Sequence, residues 1–105
     1  MRAKINMLKR WEEYNPAWLV EASEYRFKEY PWLHEALNEC TKAKEESDYY
    51  VYFVDGKNPN KPNSEWQFQE NITIEDSAEG DIVIDIIKEN RIGGIEFLTR
   101  VINDA

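Results

Sequence analysis

The chain has 105 residues, 13 Lys and Arg against 21 Asp and Glu, and a formal charge of −8. That length suits one domain with a sizeable core, and four Trp with six Tyr argue against disorder. No apolar run approaches the roughly 20 residues of a membrane span, the first residues lack the apolar core of a signal peptide, and the lone Cys40 can form no internal disulfide. A soluble, cytoplasmic protein is expected. His34 is the single histidine, which leaves no constellation for a common zinc site or a His-dependent triad. The sequence therefore predicts no catalytic, cofactor-binding or metal-ligating residue.

No internal repeat or linker interrupts the chain, so it is expected to be a single domain over 1–105, with a helical part (1–47) and a β-sheet part (48–102). Ile5, Leu8 and Trp11 at spacings of three, flanked by Met7 and Tyr14, predict a helix over 2–14. Asn15-Pro16 then stops and restarts the chain. Asn is a favoured N-cap and Pro a favoured first helical residue, which predicts a second helix from Pro16 to about Phe27. After Pro31, the residues Leu33, Ala36, Leu37, Cys40 and Ala43 form one apolar stripe opposite Glu35, Glu39, Lys42 and Glu46, the pattern of a third helix.

From Asp48 the pattern changes to β-branched and aromatic residues over 49–54, a strand ended by Asp55-Gly56. Residues 57–64 hold two prolines and three asparagines and predict an exposed loop. Beyond it Trp66, Phe68, Ile72 and Ile74 alternate with polar residues, and only Glu70 breaks the apolar set. Residues 81–87 and 92–98 are the next two strands. If Glu89 and Asn90 are the centre of a tight hairpin, Ile82 pairs with Phe97, Ile84 with Ile95 and Ile86 with Gly93. Ile74 opposite Ile82 and Ile72 opposite Ile84 extend the same apolar face, since a slip of one residue would expose it. The predicted fold is α+β: three N-terminal helices packed on a four-stranded antiparallel meander, a two-layer sandwich.

The other face of that sheet is polar. It collects Gln67, Gln69, Asn71, Thr73, Glu75, Asp81, Val83, Asp85 and Glu96, with Glu75 and Asp81 nearly opposite one another. Residues 1–47 carry a net charge of −1 and residues 48–105 carry −7, and residues 65–89 hold eight acids against Lys88 alone. Such a field repels a phosphate backbone and attracts a basic surface, so a basic protein partner is expected and nucleic acid is not.

The candidate chemistry is otherwise bland. Glu70 on the apolar face raises the alternative of a catalytic carboxylate with Asp85 or Glu96, although no calcium-loop or metal-triad spacing accompanies it. Gly93-Gly94 lies within a strand and no Lys-Ser/Thr follows it, so close backbone packing or a bulge explains it better than a phosphate loop. His34 and Cys40 read as structural. Trp18 or Trp32 is expected to be partly exposed, and at least one of Tyr49, Tyr50 and Tyr52 to point away from the core.

Trp66-Gln-Phe-Gln-Glu-Asn-Ile-Thr-Ile-Glu-Asp, followed by Asp81-Ile-Val-Ile-Asp-Ile, Asn90-Arg91 and Gly94-Ile95-Glu96-Phe97, resembles small bacterial domains with a Trp-led strand, an I-x-I-D strand and a G-I-E strand. Some of these are families of unknown function, and others are similar to immunity proteins of bacterial polymorphic-toxin systems. The resemblance spans about 35 residues of the C-terminal part, and Asn90 stands where those families often have Gly. It implies a small, acidic, cytoplasmic inhibitor of a cognate toxin, usually a basic nuclease. The expected function is thus a non-enzymatic binding protein in which Glu75, Asp81, Asp85 and Glu96 pair with basic residues. Trp66, with the 57–64 loop, and an exposed tyrosine such as Tyr50 supply contact area. The alternative is a structural or regulatory homo-oligomer, a homodimer pairing through the uncharged strand over 49–54 or through exposed helix aromatics.

Overall fold

The computed structural model describes residues 10–104. Six antiparallel strands form one sheet: β1 (Glu12–Glu13), β2 (Lys42–Ser47), β3 (Tyr50–Tyr52), β4 (Phe68–Ser77), β5 (Gly80–Ile87) and β6 (Arg91–Phe97). Their spatial order is β1-β2-β3-β6-β5-β4. Three short helices accompany them: α1 (Ala17–Ser23), α2 (Leu33–Asn38) and α3 (Leu98–Asp104). The fold is α+β, but three N-terminal helices on a four-stranded meander is corrected in both layers.

The helix expected over 2–14 lies largely outside the described residues, and Glu12–Glu13 already pair as β1 with Ala43 and Lys42. The second helix forms where expected. Asn15 Oδ1 accepts the Ala17 amide at 3.0 Å, and a single 3-10 turn over Glu24–Arg26 extends α1. The third helix stops at Asn38. Residues 42–47 carry four charges and little β-propensity, yet they form β2 because β1 and β3 flank them on both sides, and such pairing overrides intrinsic preference.

β3 is likewise no edge. It lies between β2 and β6, with Tyr50 opposite Glu96 and Tyr52 opposite Gly94, so homodimerisation through an open edge at 49–54 is closed off. The open flank of β4 is partly capped instead. Arg26 Nη1 donates to the Thr73 carbonyl at 2.5 Å, and the Tyr25 hydroxyl accepts the Glu75 amide at 2.8 Å.

The hairpin registers follow the sequence closely. Ile74 faces Ile82, Ile72 faces Ile84, and β5 pairs Ile82 with Phe97 and Ile84 with Ile95. Glu89 and Asn90 both take left-handed φ, 65° and 58°. The exception is Ile86, which faces Ile92 rather than Gly93 because the β5–β6 register shifts after Asp85. Leu19 of α1 and Leu33 and Leu37 of α2 seal the isoleucine face, with Cys40 beside them. Burial raises the Cys40 thiol to about 12, which keeps it protonated and unreactive. α3 packs against β5; its Arg100 lies 4.0 Å over the Phe97 ring and donates to the Asp48 carbonyl and to Glu79.

Ser23, at the end of α1, is fully buried, and its Oγ has no hydrogen-bond partner among the described residues. A buried hydroxyl without a partner forfeits its hydration, and Ala is the better helix former. Ser23→Ala is expected to stabilise the fold by about 1 kcal/mol in urea unfolding. A loss of stability would show that the hydroxyl is bonded in solution.

Candidate functional site

The sheet face turned away from α1 and α2 carries Asn71, Thr73, Glu75, Asp81, Val83, Asp85 and Glu96, none of them fully buried. Strand alternation puts them there, since their neighbours Ile72, Ile74, Ile82, Ile84, Ile95 and Phe97 form the core. Towards β3 this face becomes aromatic. Tyr50 and Tyr52 point outward from β3 while Val51 packs on the core, and Trp66 descends from the loop before β4 to join Val54 and Ile87 in a second, smaller apolar cluster.

Two glycines make room for these rings. A Cβ on Gly93 would lie 2.6 Å from the Trp66 ring, and one on Gly94 would lie 2.5 Å from Tyr50 Oη and 2.7 Å from the Val51 carbonyl oxygen. The Gly93 carbonyl accepts the amides of both Phe53 and Val54, at 2.8 and 3.2 Å, at the point where the β5–β6 register shifts. Close packing and a bulge, the two roles the sequence suggests for the glycine pair, thus coincide here.

The rings are stacked edge to face, with Tyr50 and Tyr52 centroids 4.8 Å apart and Tyr52 and Trp66 5.4 Å apart. Tyr50 Oη donates to Asp85 Oδ2 at 2.6 Å, and Asn71 Nδ2 donates to Asp85 Oδ1 at 2.7 Å. Burial, then the bond to Asp85, raises the Tyr50 pKa strongly, so the phenol stays protonated and remains a donor. Burial also raises the Tyr52 pKa, with Glu46 adding to it.

A cleft of about 410 Å³ opens over these groups, lined among others by Glu46, Tyr50, Tyr52, Pro59, Trp66 and Asp85. A smaller one of about 150 Å³ adjoins it, sharing Glu46, Tyr52 and Gly56 and ending at Trp11 and Lys44. The 57–64 loop forms part of the rim and is tied down by its own polar groups. Asn60 donates its amide to the Trp66 carbonyl at 2.7 Å and accepts the Phe68 amide at 2.9 Å, while Ser64 Oγ donates to the Lys57 carbonyl at 2.9 Å.

Of the six residues expected to contact a partner, Tyr50, Trp66 and Asp85 come together at this cleft. Trp66 is 8% exposed and floors the cleft as part of the second cluster, because the glycine backbone lets its ring sit against the sheet. Glu96 stands on the same face opposite Tyr50. Glu75 and Asp81 lie at the far end of the β4–β5 hairpin, with Asp81 about 13 Å from Asp85 along β5. There Asp76 takes φ 58°, and its amide donates to Asp81 Oδ1 at 2.9 Å, giving that carboxylate a backbone donor within the acidic turn.

Glu70 faces Ile86, half-buried, and lines neither cleft. The large exposed aromatics are Tyr25, Phe68, Trp11 and Tyr49, whereas Trp18 and Trp32 are half-buried. Sequence reasoning missed Glu46 because the apparent stripe over 33–43 assigned it to the outer face of a helix. It undervalued Tyr52, whose shared parity with Tyr50 was the available signal.

The arrangement presents carboxylates and ring faces, which suit recognition of a cation. Among the described residues no helix is long and apolar enough to cross a membrane, and no group of three or more His, Cys, Asp or Glu is placed to hold a metal ion. Comparison with protein-family models, curated proteins and solved structures gives no match, so the site is interpreted from its own geometry.

Proposed function

We propose that this chain is a non-enzymatic binding protein whose acidic sheet face receives a basic protein partner. In its most concrete form it is an immunity-type inhibitor that occludes a basic, nuclease-like toxin. The observation that carries this reading is the segregation of the sheet. One face is sealed by α1 and α2, while the other carries Glu75, Asp81, Asp85 and Glu96, with an aromatic cleft at its Asp85 end. Charge of one sign on one face steers a partner of the opposite sign and raises its association rate, while the rings offer anchoring area.

The test begins with affinity capture from the native host at low and high salt, with mass spectrometry of retained proteins. The captured partner is then titrated against a triple variant, Glu75→Lys with Asp81→Lys and Glu96→Lys. These side chains are exposed or half-buried and lie outside the cleft lining, so the cleft is left intact. Association is expected to slow by about tenfold or more at low salt and to change little at high salt, where screening has already removed the attraction. A partner that binds the triple variant as fast as the parent at low salt would overturn the reading.

A further inference from the structure

Resting on that reading, we propose that the cleft between Trp66, Tyr50, Tyr52 and Asp85 seats one arginine side chain of the basic partner. Three features of the cleft favour a cation, and its aromatic walls select a planar guanidinium over a compact ammonium.

The first is the walls. Two consecutive edge-to-face contacts, at 4.8 and 5.4 Å, turn the rings of Tyr50, Tyr52 and Trp66 steeply to one another, so the cleft is bordered by both ring faces and ring edges. A guanidinium is weakly hydrated and stacks flat on an aromatic face, whereas an ammonium gives up a tight hydration shell to enter.

The second is the carboxylate. Asp85 is held by one donor on each oxygen, Tyr50 on Oδ2 and Asn71 on Oδ1. An ionised carboxylate has about four acceptor positions, so each oxygen keeps one for a further donor, which the N–H groups of a guanidinium can supply. Because Asp85 is already fixed by its neighbours, little side-chain ordering remains to oppose binding.

The third is the sign of the field. Among the described residues the lining holds no Lys, Arg or His, and the Asp85 carboxylate meets an entering cation with charge of the opposite sign. At about 410 Å³ the cleft is wider than one side chain needs, which leaves space for the partner's flanking backbone against Pro59 and the loop rim.

The experiment is an NMR titration of the whole protein with N-acetyl-arginine methylamide, N-acetyl-lysine methylamide and tetramethylammonium. It reads the Trp66 indole resonance, assigned through Trp66→Phe, and the amides of Gly93 and Gly94 beneath the rings. Arginine is expected to shift these signals in a saturable way, and lysine to do so roughly fivefold more weakly or less. Asp85→Asn, and separately Glu46→Gln, should weaken the arginine response, while Glu35→Gln, exposed on α2 away from this face, leaves it unchanged. The Glu46 variant and the ligand series keep the proposal testable if Asp85→Asn does not fold.

Arginine shifts confined to the Glu75–Asp81 end of the sheet, equal responses to lysine, or a preference for tetramethylammonium would each overturn the arginine seat. In those cases a salt-dependent partner that is slowed by the Glu75, Asp81 and Glu96 reversals would still uphold the binding function. Indifference of the partner to those reversals overturns the function itself, whatever arginine does in the cleft.

Discussion

Trp66→Ala is expected to cost about 3–4 kcal/mol of folding stability, the largest effect of any substitution on the open sheet face. The indole is 8% exposed and contacts Tyr52, Val54, Ile87 and the backbone at Gly93, so its removal deletes most of the second apolar cluster and leaves a void that nearby groups fill only partly. The urea midpoint should fall while the slope of the transition stays unchanged. Trp66→Phe keeps a ring in place and should cost less than half as much.

The Trp66 effect is coupled to Gly93. A Cβ at Gly93 presses on the indole at 2.6 Å and on Ile87 Cγ2 at 2.8 Å, so Gly93→Ala alone should be destabilising by about 1–2 kcal/mol. In the Trp66→Ala background the same change has lost its main obstacle and should cost clearly less. That non-additivity is the mark of direct contact. Additive effects would mean that the ring does not rest on Gly93.

Gly94→Ala should be the more damaging of the two glycine substitutions, at about 2–3 kcal/mol. The obstacle here includes backbone. Its Cβ would lie 2.7 Å from the Val51 carbonyl oxygen as well as 2.5 Å from Tyr50 Oη, and Val51 belongs to the central pairing of β3 with β6. A tyrosine ring can swing away, but that carbonyl moves only if the two strands part. Tyr50→Phe should therefore rescue Gly94→Ala only in part. Because Tyr50 Oη is the donor to Asp85 Oδ2, Gly94→Ala should also weaken arginine binding in whatever fraction still folds. A Gly94→Ala protein as stable as the parent would refute the close approach of β3 to β6.

The uneven charge leads to one face of the sheet, but the residues that shape that face are not those a charge map favours. Glu75 and Asp81 dominate the linear pattern, yet they stand at the outer end of a hairpin, away from the cleft. Asp85 is one acid among eight in its segment, and only its contacts with Tyr50 and Asn71 distinguish it.

Local chemistry in the sequence was enough to determine the start of α1, the isoleucine face, and the pairing of β4 with β5 and of β5 with β6. Each depends on residues close in the chain: the Asn15-Pro16 restart, alternation with a period of two, and a turn at Glu89-Asn90 that brings β6 back beside β5, although the shift after Asp85 moves Ile86 onto Ile92. The neighbours of β3, the strand character of the charged residues 42–47 and the existence of the cleft were decided by tertiary structure alone. β3 satisfies its backbone on β6, more than forty residues away, and that pairing in turn recruits β2 and β1. Periodicity states which face of a strand is buried but not which strand lies beside it. A site assembled from a hairpin, a loop tryptophan and a glycine bulge therefore became visible only when those distant segments met.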